Sequence, residues 1–385
     1  MSGTVSAEAV SKEGDHTMSA DYCRGCGSVL QTHDPGEPGY IPETVLLQKK
    51  QTICQRCFQI THYGKAGTIQ PSSEQIRQSI RKAANLSELI ILVVDFLDLT
   101  GTVSVWKDVL PDKPYILVIN KIDLLPGRTL LEEVIEYVQN YVRDHGLNPP
   151  REIIPLSSLK GYGIDKLSRR IEALTPRGTR VALFGATNVG KSSLIKRMLT
   201  AERSSGTPTI SKFPGTTLGL SNWSILRGRN TLIDTPGLNP GDRLGDLVCL
   251  TCGSKLATTQ MERKLWGLKP GKGLIMGGLF GVENRSEGER VVLAFAPGGM
   301  VFHRTDQAKV TELLERQPDW LGMVCKGCSG KLRWMQTEVE LAPGQDIAVA
   351  GLGWISLRGE PAKFGLTLPE GIHWEIRPAL IGKKE

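Results

Sequence analysis

The fold is decided by residues 179–192, which read Thr-Arg-Val-Ala-Leu-Phe-Gly-Ala-Thr-Asn-Val-Gly-Lys-Ser. The first six residues predict a strand, and the last eight match the G-x-x-x-x-G-K-S pattern of a phosphate-binding loop. Gly185 and Gly190 let backbone N–H groups approach phosphates at the N-terminus of the helix that follows. Lys191 is expected to reach the β- and γ-phosphates, and the Ser192 hydroxyl is expected to bind Mg²⁺.

A second motif, Asp234-Thr-Pro-Gly237, follows another predicted strand. Asp234 is expected to support Mg²⁺ through water, and the Gly237 N–H is expected to meet the γ-phosphate. Between the two motifs lies Phe-Pro-Gly-Thr-Thr at residues 213–217, which we interpret as a switch segment. Thr217, with Thr216 as the alternative, is expected to coordinate Mg²⁺ when the triphosphate is bound.

A third motif, Asn120-Lys121-Ile-Asp123, indicates which base is bound. The Asp123 carboxylate can accept from both N1–H and the exocyclic amine of guanine, and adenine offers no such pair. Ser157 and Ser158 follow the next predicted strand, and their loop suits a backbone contact with the guanine carbonyl. These motifs together predict binding of GTP and GDP with Mg²⁺.

The order of the motifs is unusual, because the base-reading motif precedes the phosphate loop. In the ordinary order the phosphate loop comes first, so the sequence predicts a circularly permuted GTPase domain. Predicted strands alternate with predicted helices, which indicates a mostly parallel sheet in an α/β fold. The predicted strands are 89–94, 114–119, 152–156, 179–184 and 230–234, and the predicted helices are 72–84, 130–144, 164–174 and 194–198.

Changes in composition, and the positions of stretches rich in Gly and Pro, divide the chain into five predicted parts. Beyond about residue 241, dense Gly and Pro and short apolar runs predict a β-rich C-terminal domain. The expected parts are a disordered tail (1–20), a zinc-finger domain (21–64), a linker helix (65–85), the permuted GTPase domain (86–240) and a C-terminal RNA- or protein-contact domain (241–385).

The composition is that of a globular protein with a modest positive charge. Of 385 residues, 40% are hydrophobic, and the formal net charge is +7. No apolar run reaches the length of a membrane span, and the first twenty residues resemble neither a secretory signal nor a transit peptide, so we expect a cytoplasmic protein with no membrane partner. Eleven basic residues against two acidic ones between Arg169 and Arg229 predict a basic face for RNA. The alternative is a solvated face without a partner.

All eight cysteines fall in C-x-x-C pairs, which favour metal ligation over disulfides in such a chain. The pairs are Cys23/Cys26, Cys54/Cys57, Cys249/Cys252 and Cys325/Cys328. The first two pairs predict a structural four-cysteine Zn²⁺ site, with a redox pair as the alternative. The last two are 72 residues apart, and each is followed by a similar Gly-Lys-Leu or Gly-Ser-Lys-Leu run. They predict a second zinc site, with two reduced, metal-free pairs as the alternative.

The chain closely resembles the YqeH family of circularly permuted, ribosome-assembly GTPases. The motif order carries the resemblance, together with the first cysteine module, Val94-Asp95-x-x-Asp98, Gly277-Gly-Leu279 and His303-Arg-Thr305. The resemblance implies a treble-clef zinc finger, a permuted GTPase domain and a C-terminal contact module. It also implies a GTP-dependent step in maturing the small ribosomal subunit, with that subunit, its rRNA or ribosomal proteins as partners. It does not extend to the second cysteine set.

Two residues bear on hydrolysis. Leu238 stands where Ras-like proteins place the glutamine that orients water, so slow intrinsic hydrolysis is predicted. Asn188 in the phosphate loop is similar to an asparagine that helps to bind K⁺, whose charge can replace an arginine finger; the alternative is an asparagine that caps its own loop. We therefore expect Lys191, Asn188 and Thr217 to act in catalysis. Val189 and Ser193 are expected to complete the nucleotide contacts.

These expectations describe a GTP-hydrolysing switch in ribosome assembly. The switch segments lie just before the C-terminal domain, so loss of the γ-phosphate is expected to reorient that domain. One alternative is a GTPase that regulates a protein or RNA-modification complex through its zinc modules. Another is a metal-transfer chaperone with labile zinc.

Overall fold

The computed structural model describes residues 23, 29–34, 39–47, 54–55, 72–204, 220–257 and 260–381. Several predicted features lie outside these residues, namely the tail at 1–20, Cys26, Cys57, Thr216 and Thr217. No helix in the described ranges is long and apolar enough to cross a membrane. The described residues before 71 form one compact unit and those from 72 to 381 another.

The described residues of the first unit include the short helix α1 (Glu43–Leu47) and an isolated bridge between Gln31 and Tyr40. Cys23 and Cys54 are both buried, and the Cys54 N–H donates to Cys23 Sγ over 3.0 Å. Two cysteines that the sequence assigns to one zinc site are therefore adjacent.

The second unit begins with a six-stranded sheet, the nucleotide sheet, in the order β3-β2-β1-β4-β6-β5. All neighbouring strands pair in parallel except β5, which pairs antiparallel with β6 at the edge. The strands are β1 (Leu89–Asp95), β2 (Tyr115–Asn120), β3 (Glu152–Pro155), β4 (Arg180–Gly185), β5 (Ser221–Ile225) and β6 (Asn230–Asp234). The helices are α2 (Ser73–Asn85), α3 (Leu99–Thr102), α4 (Leu131–Asp144), α5 (Ile164–Leu174) and α6 (Lys191–Ser204).

Helices cover both faces of the nucleotide sheet, because its central strands are apolar on both faces. In β1, Ile90 and Leu92 face one core cluster, while Leu89 and Ile91 face the other. Helices α2 and α4 pack in the first cluster, and α5 and α6 pack in the second. The unbroken apolar runs in the sequence are thus explained by burial on two sides.

Two five-stranded antiparallel sheets follow. The first C-terminal sheet has the order β16-β13-β14-β10-β7, and the second has the order β11-β8-β9-β15-β12. Their strands are β7 (Met261–Leu268), β8 (Lys272–Met276), β9 (Phe280–Asn284), β10 (Arg290–Pro297), β11 (Phe302–Asp306), β12 (Trp334–Leu341), β13 (Gln345–Val349), β14 (Gly353–Arg358), β15 (Ala362–Pro369) and β16 (Trp374–Pro378). Helix α7 (Leu250–Leu256) precedes β7, and α8 (Gln307–Arg316) and α9 (Lys326–Ser329) lie between β11 and β12. One apolar cluster fills the space between the two sheets.

The other face of the first C-terminal sheet packs against the nucleotide-binding part. Phe295 and Trp354 belong to the same buried cluster as Phe96 and Leu97. Polar contacts accompany this packing: Glu375 of β16 accepts from Thr100 over 2.7 Å and also accepts from Tyr141. One buried apolar cluster thus joins the nucleotide sheet to the first C-terminal sheet.

Candidate nucleotide-binding and metal sites

The carboxyl ends of adjacent parallel strands bring the predicted nucleotide motifs to one edge of the sheet. Strand β4 leads into the phosphate loop, β2 ends at Asn120, and β6 ends at Asp234. Strand β3 ends at Pro155, two residues before Ser157. Ligands in open α/β sheets bind at such an edge, so the topology supports the motif reading.

The phosphate loop is a tight turn that requires glycine at one point. Gly190 has φ of +97°, and a Cβ atom there would lie 2.3 Å from Asn120 Nδ2. Asn188 also has a positive φ, +66°. Helix α6 begins at Lys191, so its first N–H groups face the loop and favour an anion there.

Lys191 lies inside this loop. Its Nζ donates to Gly185 O over 2.8 Å and to Ala186 O over 3.1 Å. Burial lowers the pKa of Lys191 to about 8, and the neighbouring Asp234 carboxylate partly opposes that shift. An ammonium group held at this point is suited to contact nucleotide phosphates.

Asp234 offers a buried carboxylate at the other side of the loop. Its Oδ1 is buried and has no hydrogen-bond partner among the described residues. Burial raises the pKa of Asp234 to about 6, and Lys191 counters part of this increase. A hard oxygen without a partner fits the donor preference of Mg²⁺, so Asp234 and the Ser192 hydroxyl at the start of α6 can hold that ion between them.

The Asp-Thr-Pro-Gly segment runs directly against the phosphate loop. The Thr187 N–H donates to Leu238 O over 2.9 Å, and the Leu238 N–H donates to Gly185 O over 3.2 Å. A Cβ atom on Gly237 would lie 3.0 Å from Lys191 Nζ. The close approach keeps the Gly237 backbone beside the lysine, where the sequence places the γ-phosphate.

Asn120 connects the base-reading motif to two loops. Its Nδ2 donates to Val189 O over 2.7 Å and to Ser158 Oγ over 3.0 Å, and its Oδ1 accepts from Ser158 N over 3.0 Å. Ser157 Oγ accepts from Lys160 N over 2.9 Å and shapes the same loop. Asn120 therefore ties together the two loops that the sequence predicts to surround the base.

The other two residues of that motif occupy a strained turn. Lys121 has φ of +68°, and its ammonium forms an ion pair with the buried carboxylate of Asp95. Asp123 lies in a short 3₁₀ turn, Ile122–Leu124, with intermediate exposure. The left-handed backbone of Lys121 redirects the chain after β2 towards that turn.

Leu238 is fully enclosed in an apolar cluster, with 1% exposure. This buried, apolar side chain offers no polar group that could orient a water molecule. Slow intrinsic hydrolysis remains a prediction, and the enclosed position of Leu238 supports it.

Arg243 is a site residue that the sequence reasoning missed. It is 6% exposed, and its guanidinium donates to Thr187 O over 2.9 Å and also to Thr187 Oγ1. Asp246 accepts two further bonds of 3.0 Å from the same group. The signal was an Arg-x-x-Asp spacing soon after Asp-Thr-Pro-Gly, but the partner Thr187 lies 56 residues earlier.

Asp98 lies beside this arginine. Burial raises the pKa of Asp98 to about 6, while Arg243 acts in the opposite direction. Asp98 Oδ1 accepts from Gly351 N over 2.9 Å, so the group also contacts the turn between β13 and β14. A chain of contacts thus leads from the phosphate loop to the first C-terminal sheet.

The second cysteine set forms a cluster compatible with zinc. The sulfur atoms of Cys249, Cys252, Cys325 and Cys328 all lie within 4.8 Å of one another. Of the first set, only Cys23 and Cys54 are among the described residues. The sequence prediction that the second set converges is therefore confirmed.

Comparison with known proteins identifies the class. The family model MMR_HSR1, described as a 50S ribosome-binding GTPase, matches residues 180–265. With the phosphate loop and its partners in place, the protein is a P-loop GTPase that hydrolyses GTP to GDP and uses Mg²⁺.

Individual relatives then identify the family. YqeH of Bacillus subtilis (strain 168) is 28% identical, over 94% of this chain and 100% of that protein. A protein named putative nitric oxide synthase in Oryza sativa subsp. japonica is 30% identical, over 88% of this chain and 70% of its own length. GTPase Der of Chloroflexus aurantiacus (strain ATCC 29366 / DSM 635 / J-10-fl) is 34% identical over 45% of this chain and 39% of its own length. The chain belongs to the YqeH family of GTPases.

Proposed function

We propose that this GTPase is a nucleotide-dependent switch in ribosome assembly that acts on the small subunit. The observation that carries the proposal is that the phosphate loop, Asp234 and Asn120 lie at one edge of the sheet. The chain that places them there aligns with YqeH over 94% of its length. The matching family model names ribosome binding, although its description specifies the 50S particle.

The nucleotide-binding domain is, in this proposal, circularly permuted. Strands β2 and β3 lead into the base-reading residues and precede β4 and β6, which lead into the phosphate and metal motifs. In the sheet, β1 lies directly beside β4, so the two halves pair as neighbours although the chain visits them in the reversed order. The domain boundaries given above, at residues 21, 65, 86 and 241, also stay predictions.

The proposed roles of the residues follow from their positions. Lys191 contacts the β- and γ-phosphates, Gly237 donates to the γ-phosphate, and Asp123 reads guanine. Ser192, Asp234 and Thr217 are the residues that would hold Mg²⁺, and the ion would supply positive charge next to the phosphates. Asn188 lies at the exposed rim of the loop and is proposed to help bind K⁺.

An interaction with rRNA is supported only in part by the basic residues of 169–229. Arg170 forms an ion pair with Glu152, and Arg229 forms one with Glu172. Among the basic residues of this stretch whose side chains the structure describes, five others are exposed, namely Arg169, Arg177, Arg180, Lys196 and Arg227. We propose that these five contact rRNA phosphates and that the protein acts in the cytoplasm, with ribosomal subunits as partners.

Sedimentation with separated ribosomal subunits tests the proposal. The purified protein is mixed with small or large subunits in GDP or in a non-hydrolysable GTP analogue, at two salt concentrations. Comigration with the small subunit only in the analogue, weakened by salt, is the expected result. Comigration with the large subunit would reassign the target. Comigration with neither subunit would overturn the ribosomal role and favour regulation of a protein or RNA-modification complex.

A further inference from the structure

Four thiols converge away from the nucleotide motifs, and their spacing suits one metal ion. The sulfurs of Cys249, Cys252, Cys325 and Cys328 lie within 4.8 Å of one another. Tetrahedral zinc with Zn–S bonds of about 2.3 Å separates its sulfurs by about 3.8 Å, so the set fits with small adjustments. In the part of the chain that the structure describes, no other group of three or more His, Cys, Asp or Glu side chains is arranged in this way.

The two cysteine pairs are related by reciprocal hydrogen bonds. Cys249 occupies the N-cap position of α7 and Cys325 that of α9, so each pair begins a short helix. The Cys249 N–H donates to Cys328 Sγ over 3.2 Å, and the Cys325 N–H donates to Cys252 Sγ over 3.1 Å. Such bonds favour thiolates, and four thiolates this close repel one another unless a cation lies between them.

The first pair belongs to a stretch that also contacts the phosphate loop. We call residues 241–256 the connector segment, because they join the nucleotide sheet to the first C-terminal strand. Arg243 in this segment donates to both oxygens of Thr187 and is bound by Asp246, three residues before Cys249. A Cβ atom on Gly253 of α7 would lie 3.1 Å from Gly245 O. Helix α7 therefore packs closely on the turn that positions the arginine.

We propose that the four cysteines bind one structural zinc ion, which fixes the connector segment to the region between α8 and β12 and so holds Arg243 against the phosphate loop. The metal is bound by residues on either side of the C-terminal sheets' first five strands, so it closes a large loop of the chain. Nucleotide affinity then depends on zinc occupancy at a site that does not touch the nucleotide. This inference rests on the GTPase activity and not on the ribosomal role.

Zinc content tests the metal site. Cys249 and Cys325 are exposed, so the double variant C249S/C325S removes two ligands without leaving a cavity. Atomic emission on the purified full chain is expected to find one zinc ion fewer per molecule than in wild type. The neighbouring exposed substitution T251S is the control and is expected to keep the full zinc content. An unchanged zinc content in C249S/C325S would overturn the site.

Nucleotide binding tests the coupling. In titrations with a fluorescent GDP, C249S/C325S is expected to bind about tenfold more weakly, which is the range for losing one charged hydrogen-bonding group. R243A is expected to show a similar loss, and R243A combined with C249S/C325S is expected to show little further loss, because all act through one arginine. Wild-type affinity in a C249S/C325S protein that has lost its zinc would overturn the coupling.

A measurement on the wild-type chain covers the case in which C249S/C325S does not fold. The extent of alkylation by iodoacetamide is measured at each cysteine by mass spectrometry, so the reactivity of the second cysteine set can be followed apart from that of the first. Cys249 and Cys325 are expected to react slowly until a zinc chelator is added, despite their exposure, because zinc-bound thiolates are poor nucleophiles. Rapid alkylation of both before chelation would overturn the zinc site.

Discussion

At the residue scale, the buried carboxylate of Asp234, a proposed metal ligand, opposes folding when no ion is bound. Its Oδ1 is buried without a hydrogen-bond partner among the described residues, and burial raises its pKa to about 6. The nearby Lys191 ammonium reduces this shift without abolishing it. Perturbed titration of this kind is concentrated at functional sites, where the cost is offset when the ligand binds.

Replacing Asp234 with asparagine is therefore expected to stabilise the protein and impair nucleotide binding. Because the folded-state pKa is raised above 3.8, stability is present at low pH and is lost as the pH rises through about 6. In urea denaturation without nucleotide or Mg²⁺, D234N should be more stable than wild type by about 2 kcal/mol at pH 7.5 and by less at pH 5. The same pH slope in both proteins would contradict this account.

The choice of base is expected to rest on Asp123. In D123N the side chain presents an amide donor towards the base edge. The variant should therefore bind guanine less tightly and xanthine more tightly, because xanthine has a carbonyl acceptor where guanine has its exocyclic amine. Affinity for GTP should fall by about 100-fold, and affinity for XTP should rise. Competition titrations with the two nucleotides measure the exchange. A variant that loses both nucleotides equally would show that Asp123 supports the turn and does not read the base.

At the scale of elements, Asn120 joins β2 to the loop after β3 and to the phosphate loop. It is 1% exposed, and its three hydrogen bonds reach Val189 O, Ser158 Oγ and Ser158 N. Loops of this kind are otherwise weakly tied to the sheet. One amide therefore sets the distance between the base-reading and phosphate-binding sides of the site.

Truncation of this amide is expected to be costly. N120A leaves Val189 O and Ser158 N buried without that partner, so stability should fall by about 2–4 kcal/mol. Nucleotide affinity should fall as well. The matched control is S158A, which removes one of the three bonds and leaves the backbone bond in place, so its effect should be clearly smaller. Denaturant unfolding of the two variants checks this, and equal losses would contradict the assigned role.

Helices and strands that a local sequence pattern encodes were well predicted, whereas contacts between residues distant in the sequence were not. The predicted helix at 164–174 and strand at 230–234 match α5 and β6 residue for residue. Strand β5 was missed, because four of its five residues are only half-buried and give no apolar run. The Arg243–Thr187 contact was also missed, because no local pattern encodes a pair 56 residues apart. The convergence of two cysteine pairs was predictable, because four cysteines that bind one metal ion must lie close together whatever their separation in the sequence.

At the scale of the whole molecule, the C-terminal sheets are not merely attached to the nucleotide-binding part. Trp354 of β14 is 2% exposed and stacks on Phe295, with ring centroids 4.6 Å apart. Both belong to the cluster that contains Phe96 and Leu97, just after β1. A shared apolar interior couples the unfolding of the parts that it joins.

Removal of the Trp354 ring tests that coupling. W354A should cost about 3–5 kcal/mol, because a large side chain is lost from a packed interior. Its stability loss should appear as one shifted denaturation transition, with hydrogen exchange accelerated in both β1 and β10. The control W320A removes a tryptophan that is 55% exposed and should change stability by less than about 1 kcal/mol. If W354A instead gave two transitions, with β1 protected as in wild type, the nucleotide-binding part would fold independently. A signal from the phosphate loop would then have to reach the C-terminal sheets through polar contacts such as those of Arg243, Asp98 and Glu375.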